Sequence, residues 1–305
     1  MAELYEDLTL IRNWEAEGIY ILKPRCGATA TKDGPLYQAT ELAKRMPFIV
    51  DDLGAKTVCW DTITATGLEM LDEMAQSGLH ASSAGTKRMA VKDTNVGFFG
   101  TDRRDYLAVQ SRLRMNVRLP LLKNPAKPSR DYHLWVLSHL TEKLKTIGQT
   151  KQGEAIQVPE TVGPSVCGRA NVEEWGKEFG AQWQVYLDPA GKRRIRIDKE
   201  VIDKVTYMAH TRGGILRESS LPWPNSTAGM KDTMGRLLDI IHLDTANPKT
   251  GYGSFSLGGL QGVGKTMAFS VFLMFPNTKP LIYVAADGDS EFIRPFADEV
   301  KVVGE

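Results

Sequence analysis

Apolar residues along this chain gather in short runs separated by amphipathic stretches, the pattern of strands alternating with helices. The runs IYIL (19–22), TVCWD (57–61), YHLWVLSH (132–139), SFSL (254–257) and PLIYVAAD (280–287) predict buried strands. Helical spacing covers 4–14 (Leu4, Leu8, Ile11), 37–46, 65–76 and 103–119, and recurs in Met234, Leu237, Leu238 and Ile241. In 103–119, Tyr106, Val109, Leu113 and Val117 share one face, while Arg104, Arg112, Arg114 and Arg118 fall largely elsewhere. WQVYLDPAGKRRIRID (183–198) predicts a hairpin turning at DPAG, and DKVTYMAH (203–210) a further strand. Polar, glycine-bearing composition predicts loops over 24–36, 78–101 and 140–163, the last expected to be mobile. LPWPNSTAG (221–229) has the composition of a linker. No internal repeat is visible.

Strand and helix signals in alternation predict an α/β fold with a mainly parallel central sheet flanked by helices. The linker-like stretch and the helix after it (221–253) divide the chain into residues 1–220 and 254–305.

Composition narrows this picture only a little. A chain of 305 residues can bury a sizeable core, and 42% hydrophobic with 25% charged residues is ordinary for a globular protein. The formal charge of +1 means that any basic surface must be local. The opening MAELYEDL lacks the basic and apolar regions of a secretion signal, and MAFSVFLMF is far shorter than the ~20 residues of a membrane span. Cys26, Cys59 and Cys167 show no CxxC spacing, so neither a disulfide framework nor a zinc site is signalled, and core or inert roles are expected. These features predict a cytoplasmic protein without a membrane partner.

The candidate chemistry lies near the C-terminus, in GGLQGVGKTMAF (258–269). Gly259, Gly264, Lys265 and Thr266 satisfy the phosphate-binding pattern G-x-x-x-x-G-K-[ST] at every defined position. Gly259, Gly262 and Gly264 let the backbone bend around phosphate, and the amides of Lys265, Thr266 and Met267 open the following helix towards an anion. Lys265 is expected to reach the β- and γ-phosphates, and Thr266 to ligate magnesium. A strand-end acid to share that metal is found upstream, at Asp61 of TVCWD; the alternative for Asp61 is an ordinary cap of the next helix. With the chain read cyclically, Asp61 follows the loop, so the order of elements looks rotated.

In that cyclic order, from about Met230 to the C-terminus and then from the N-terminus onward, the chain resembles a RecA-type P-loop ATPase. It is most similar to the phage RecA-like proteins that serve single-strand annealing (Sak-type). The motifs that carry the resemblance are the phosphate loop, LIYVAADGD, TVCWDTITAT, HLWVLSHLTEK and PSVCGR (164–169). It implies one composite domain, a RecA-like core in permuted strand order to which residues 1–220 and 254–305 both belong with 221–253 as linker and helix between them, and ATP and Mg2+ as ligands. Asp287 would stand where the family has its catalytic glutamate, a shorter acid that Asp289 could supplement, and His139 would sense the γ-phosphate. The stretch 140–163, with Lys143, Lys145 and Lys151, would contact single-stranded DNA. Implied partners are that DNA, further copies in a ring or filament, and a single-strand-binding protein. KRRIR (192–196) and the arginines of 103–118 are candidates for phosphate contacts or a subunit boundary, and Arg212 for an arginine finger.

Two alternatives stand beside an ATPase driven by single-stranded DNA. One is an ATP-binding switch with little turnover, which the shorter Asp287 favours. The other is a small-molecule P-loop kinase. A permuted GTPase is disfavoured by the lack of an Asn-Lys-x-Asp motif.

Overall fold

The computed structural model describes residues 18–22, 39–76, 103–122, 130–150, 152–166, 174–213 and 218–286. The expected helix at 4–14, the loops 24–36 and 78–101, Lys151, Asp287, Asp289 and residues 167–169 of PSVCGR lie outside the described residues.

In chain order the elements are β1 (Ile19–Leu22), α1 (Ala39–Leu53), β2 (Thr57–Asp61), α2 (Ile63–Gln76) and α3 (Arg103–Arg112). A π-helical turn (Leu113–Arg118) and α4 (Leu119–Leu122) continue α3, and β3 (His133–Ser138), β4 (Leu140–Gln149) and β5 (Ala155–Pro164) follow. Then come β6 (Ala181–Leu187), β7 (Arg193–Arg196), β8 (Glu200–Ile202), β9 (Val205–Tyr207), β10 (His210–Thr211) and β11 (Ser220–Pro222). The described chain closes with α5 (Thr227–Ile240), β12 (Ser254–Gly259), α6 (Lys265–Phe272) and β13 (Leu281–Ala285).

The fold is mixed α/β. Its larger sheet runs β1-β13-β2-β3-β12-β6-β7-β11, with β10 paired to β6. Pairing is parallel from β1 through β6, whereas β7, β10 and β11 join antiparallel. The sheet is therefore mixed, and its parallel character stops at β6. Two late strands sit in the middle of this sheet: β13 between β1 and β2, and β12 between β3 and β6. Parallel neighbours need crossover connections, so such pairings join segments far apart in sequence.

Alternating strand residues feed two cores, one on each face. Trp135, Leu137, Phe255, Leu257 and Tyr283 pack with residues of α5 and α6. Val58, Trp60, Leu134, Val136, Ile282 and Val284 pack with α1, α2, α3 and the turn after it. Strands buried on both faces read as continuous apolar runs, which is why these were visible in the sequence. Aromatic rings cluster beneath α6: Trp135 stacks on Phe255 with centroids 4.3 Å apart and meets Phe269 edge-on at 5.7 Å.

Three segments differ from expectation. Residues 140–163 form no loose loop; most of them build β4 and β5, a long antiparallel hairpin that continues through β9 to β8 as a second, four-stranded sheet. Its turn is tied by Thr150, whose amide donates to Glu154 O at 2.7 Å and whose Oγ1 accepts from the Glu154 amide at 3.1 Å. Polar residues dominate because most β4 side chains are exposed or half-buried, so backbone pairing rather than a core holds the strand. The linker-like stretch begins as edge strand β11 paired to β7, with Leu221 and Trp223 buried, and Ser226 then caps α5. Arg118 does not join an exposed basic face. It is buried, with its guanidinium 4.9 Å from the Trp175 ring centre, 3.0 Å from Trp175 O and 3.1 Å from a Glu178 oxygen.

Candidate functional site

Parallel register brings the carboxyl ends of neighbouring strands to one edge. Gly258 pairs with Ser138, Trp60 with Val136, and Ala285 with Asp61. Beyond Gly259 the chain turns through the glycine-rich loop into α6, and beyond Ser138 comes His139. The open crevice beyond the carboxyl ends of parallel strands is where α/β sheets bind ligands.

Two glycines of the loop are required by the geometry. A Cβ on Gly259 would lie 2.7 Å from Val263 Cγ1, 2.9 Å from Lys265 Cγ and 3.1 Å from Val185 O. Gly264, the N-cap of α6, has φ +101°, a left-handed conformation that side chains resist. No side chain caps the helix at this residue, so its first-turn amides face the loop.

Lys265 bends back over the loop. Its Nζ donates to Gly259 O at 3.2 Å and to Leu260 O at 3.1 Å, and lies 3.5 Å from His139 Nδ1. Thr266 Oγ1 donates to Asp61 Oδ2 at 2.8 Å. Asp61 is buried, and the same Oδ2 accepts the Tyr283 hydroxyl. The Asp61 backbone oxygen accepts the Ala286 amide at 2.6 Å, holding the ends of β2 and β13 together. His139 is tied to α2: its amide donates to Thr64 Oγ1 at 2.9 Å, and Thr64 Oγ1 donates to Ser165 O at 2.6 Å.

The structure thus brings together Lys265, Thr266, Asp61, His139 and the loop glycines, although Thr266 and Asp61 are 205 positions apart in sequence. Lys143 and Lys145 stand on β4, which starts directly after His139, and Lys145 lies 3.9 Å from Glu160 across the hairpin. Arg212 sits at the other end of β6, where β10 pairs with Ala181 and Gln182. Cys59 is buried beside Asp61; burial, and then the carboxylate charge, push its thiol well above the usual range, so it stays protonated and inert.

Tyr283 and Thr64 were missed in the sequence. The one available signal for Tyr283 was a phenol inside the otherwise apolar run PLIYVAAD. Thr64 left no trace, because its role comes from contact with residues far along the chain.

Oxygen donors suited to a hard cation meet at Thr266 and Asp61: a hydroxyl and a carboxylate in direct contact, at the mouth of an amide-lined loop. This fits magnesium, which is commonly held by one or two protein oxygens with phosphate and water completing its shell. No cluster of three or more His, Cys, Asp or Glu side chains able to hold a metal occurs among the described residues.

No family of known proteins matches the chain, and neither a curated protein nor a solved structure does so. Among the described residues no helix is long and apolar enough to cross a membrane.

Proposed function

We propose that this protein binds and hydrolyses ATP with magnesium, and couples that cycle to single-stranded DNA. The observation that carries the reading is the convergence of Lys265, Thr266, Asp61 and His139 at the carboxyl edge of adjacent parallel strands. A chance match to the loop pattern would not bring a remote strand-end aspartate into hydrogen-bond contact with the motif threonine. The strand order supports a RecA-like core in rotated chain order: the loop strand β12 is separated from the Asp61 strand by β3, which leads to His139.

In this reading the loop amides and Lys265 cradle the phosphates and offset the charge that builds up during transfer. Thr266 and Asp61 would hold magnesium, which would supply further charge neutralisation at the phosphates. Asp287 would orient the attacking water. His139, next to Lys265 Nζ, would register the terminal phosphate. Since β4 begins at the next residue, a shift of His139 passes directly into the hairpin that carries Lys143 and Lys145. This covalent continuity supports the hairpin as the DNA-contacting element. Assembly into a ring or filament completes the proposal.

The deciding experiment is ATP turnover by purified protein, with and without single-stranded DNA, beside Lys265→Ala. Turnover that rises with DNA and is lost in the variant is the expected result. Tight ATP binding without turnover would replace the motor by a switch, phosphate transfer to a small acceptor would replace it by a kinase, and absence of nucleotide binding would sink the reading.

A further inference from the structure

A second concavity opens on the far side of the loop from Asp61. It is a cavity of about 410 Å³, within the roughly 300–1,000 Å³ of small-molecule sites. Leu187, Pro222, Trp223 and Pro224 give it apolar walls, and Arg193 and Asn225 stand among its lining as polar groups. Arg193 connects it to the loop: its Nε lies 4.0 Å from where a side chain on Gly264 would begin, and Met267 Cβ lies 3.9 Å from the same point. The Arg193 guanidinium in turn donates to Asn225 Oδ1 at 3.3 Å, and its backbone oxygen accepts the Trp223 amide at 3.0 Å. Arg193 therefore both lines the cavity and abuts the loop at Gly264.

Direction follows from the strand order. Asp61 and His139 come from β2 and from the end of β3, on one side of β12, whereas Arg193 comes from β7, on the other. A polyphosphate with its terminal group at Lys265, Thr266 and His139 would have its opposite end over Gly264 and Met267. The next feature on that path is Arg193, then the cavity.

We propose that this cavity holds the nucleoside of the nucleotide, with Arg193 bridging phosphate and sugar and Asn225 contacting the base. The proposal rests on the loop's being a nucleotide-phosphate site, and it assigns the specificity of that site to β7 and the 222–225 segment. The prolines and Leu187 offer apolar surface against which a base can pack. Asn225, whose Oδ1 is engaged by Arg193, presents its amide as a donor to ring nitrogens or carbonyls.

The test compares magnesium-ATP with magnesium-tripolyphosphate by titration calorimetry, for the intact chain, Arg193→Ala and Asn225→Ala. The intact chain should bind ATP at least roughly ten-fold tighter than tripolyphosphate, and Asn225→Ala should lower ATP affinity roughly ten-fold, the worth of one good polar contact, while leaving tripolyphosphate unchanged. Arg193→Ala should weaken ATP more strongly than Asn225→Ala does. For Asn225→Ala, unchanged tripolyphosphate binding also shows that the variant is folded. Crosslinking with 8-azido-ATP should label peptides containing Leu187–Arg193 or Pro222–Asn225. Equal affinity of the intact chain for ATP and tripolyphosphate, or parallel losses in Asn225→Ala, would overturn the pocket while the phosphate loop stands. Failure to bind either ligand would remove both.

Discussion

Tyr283→Phe isolates one atom of the site. The Tyr283 ring is fully buried and lies nearly parallel to Phe269 of α6, with centroids 6.1 Å apart and planes 22° from each other. Phenylalanine keeps that packing, so the substitution removes only the hydroxyl that donates to Asp61 Oδ2. A hydrogen bond to a charged group contributes about 1.5–3 kcal/mol, so the variant should unfold more easily by that amount in urea, with an unchanged slope. The same hydroxyl also fixes the orientation of Asp61 against Thr266, which donates to the same oxygen at 2.8 Å. The variant should therefore need several-fold more magnesium for half-maximal nucleotide binding, while metal-free nucleotide binding stays near that of the intact chain. Urea titration and magnesium titration with a fluorescent ATP analogue read the two effects. A stability change below about 0.5 kcal/mol, the range of surface substitutions, together with an unaltered magnesium requirement, would refute the claim that the phenol holds this carboxylate.

Two further outcomes test the frame around the site. Burial, followed by the neighbouring Arg130 charge, pushes the His133 imidazole down to about 4, and its Nδ1 accepts the Gly253 amide at 3.1 Å. Unfolded histidine takes up its proton near 6.5, so between these values the unfolded chain holds more protons and stability rises with pH. About 3 kcal/mol should be lost as pH falls from 6.5 to 4, and His133→Asn should flatten that slope in urea titrations at stepped pH. Arg196 ties the two sheets together: its guanidinium lies 4.1 Å from the ring centres of both Tyr186 and Tyr207, 2.7 Å from Glu200 and 3.1 Å from Gln184. Arg196→Ala should destabilise by about 3 kcal/mol, the low end for breaking a buried ion pair, because the Glu200 side chain keeps 27% of its surface exposed. Urea denaturation measures it, and a loss below about 1 kcal/mol would show that the clamp is dispensable.

The apolar runs, the hairpin at DPAG and the phosphate-loop motif were legible because each is a local pattern. A strand buried on both faces must be apolar throughout, and a loop that wraps tightly must place glycine where a side chain would clash or strain. Asp61 was legible for a similar reason, as an acid ending such a run. The β4–β5 hairpin was not, because its polar sequence is shared by solvated loops and by strands held through backbone pairing. Neither were the burial of Arg118 and the place of LPW on the sheet edge, which follow from Trp175, Glu178 and β7, all remote in the chain. By itself, then, the sequence determined which segments are buried strands and where a phosphate-type loop stands. Only the tertiary structure decided that β12 and β13 enter the middle of the sheet, that Tyr283 meets Asp61 and that Arg193 meets Gly264. Such contacts depend on which strands become neighbours, and that is set by packing on two faces of a sheet rather than by any pattern within one segment.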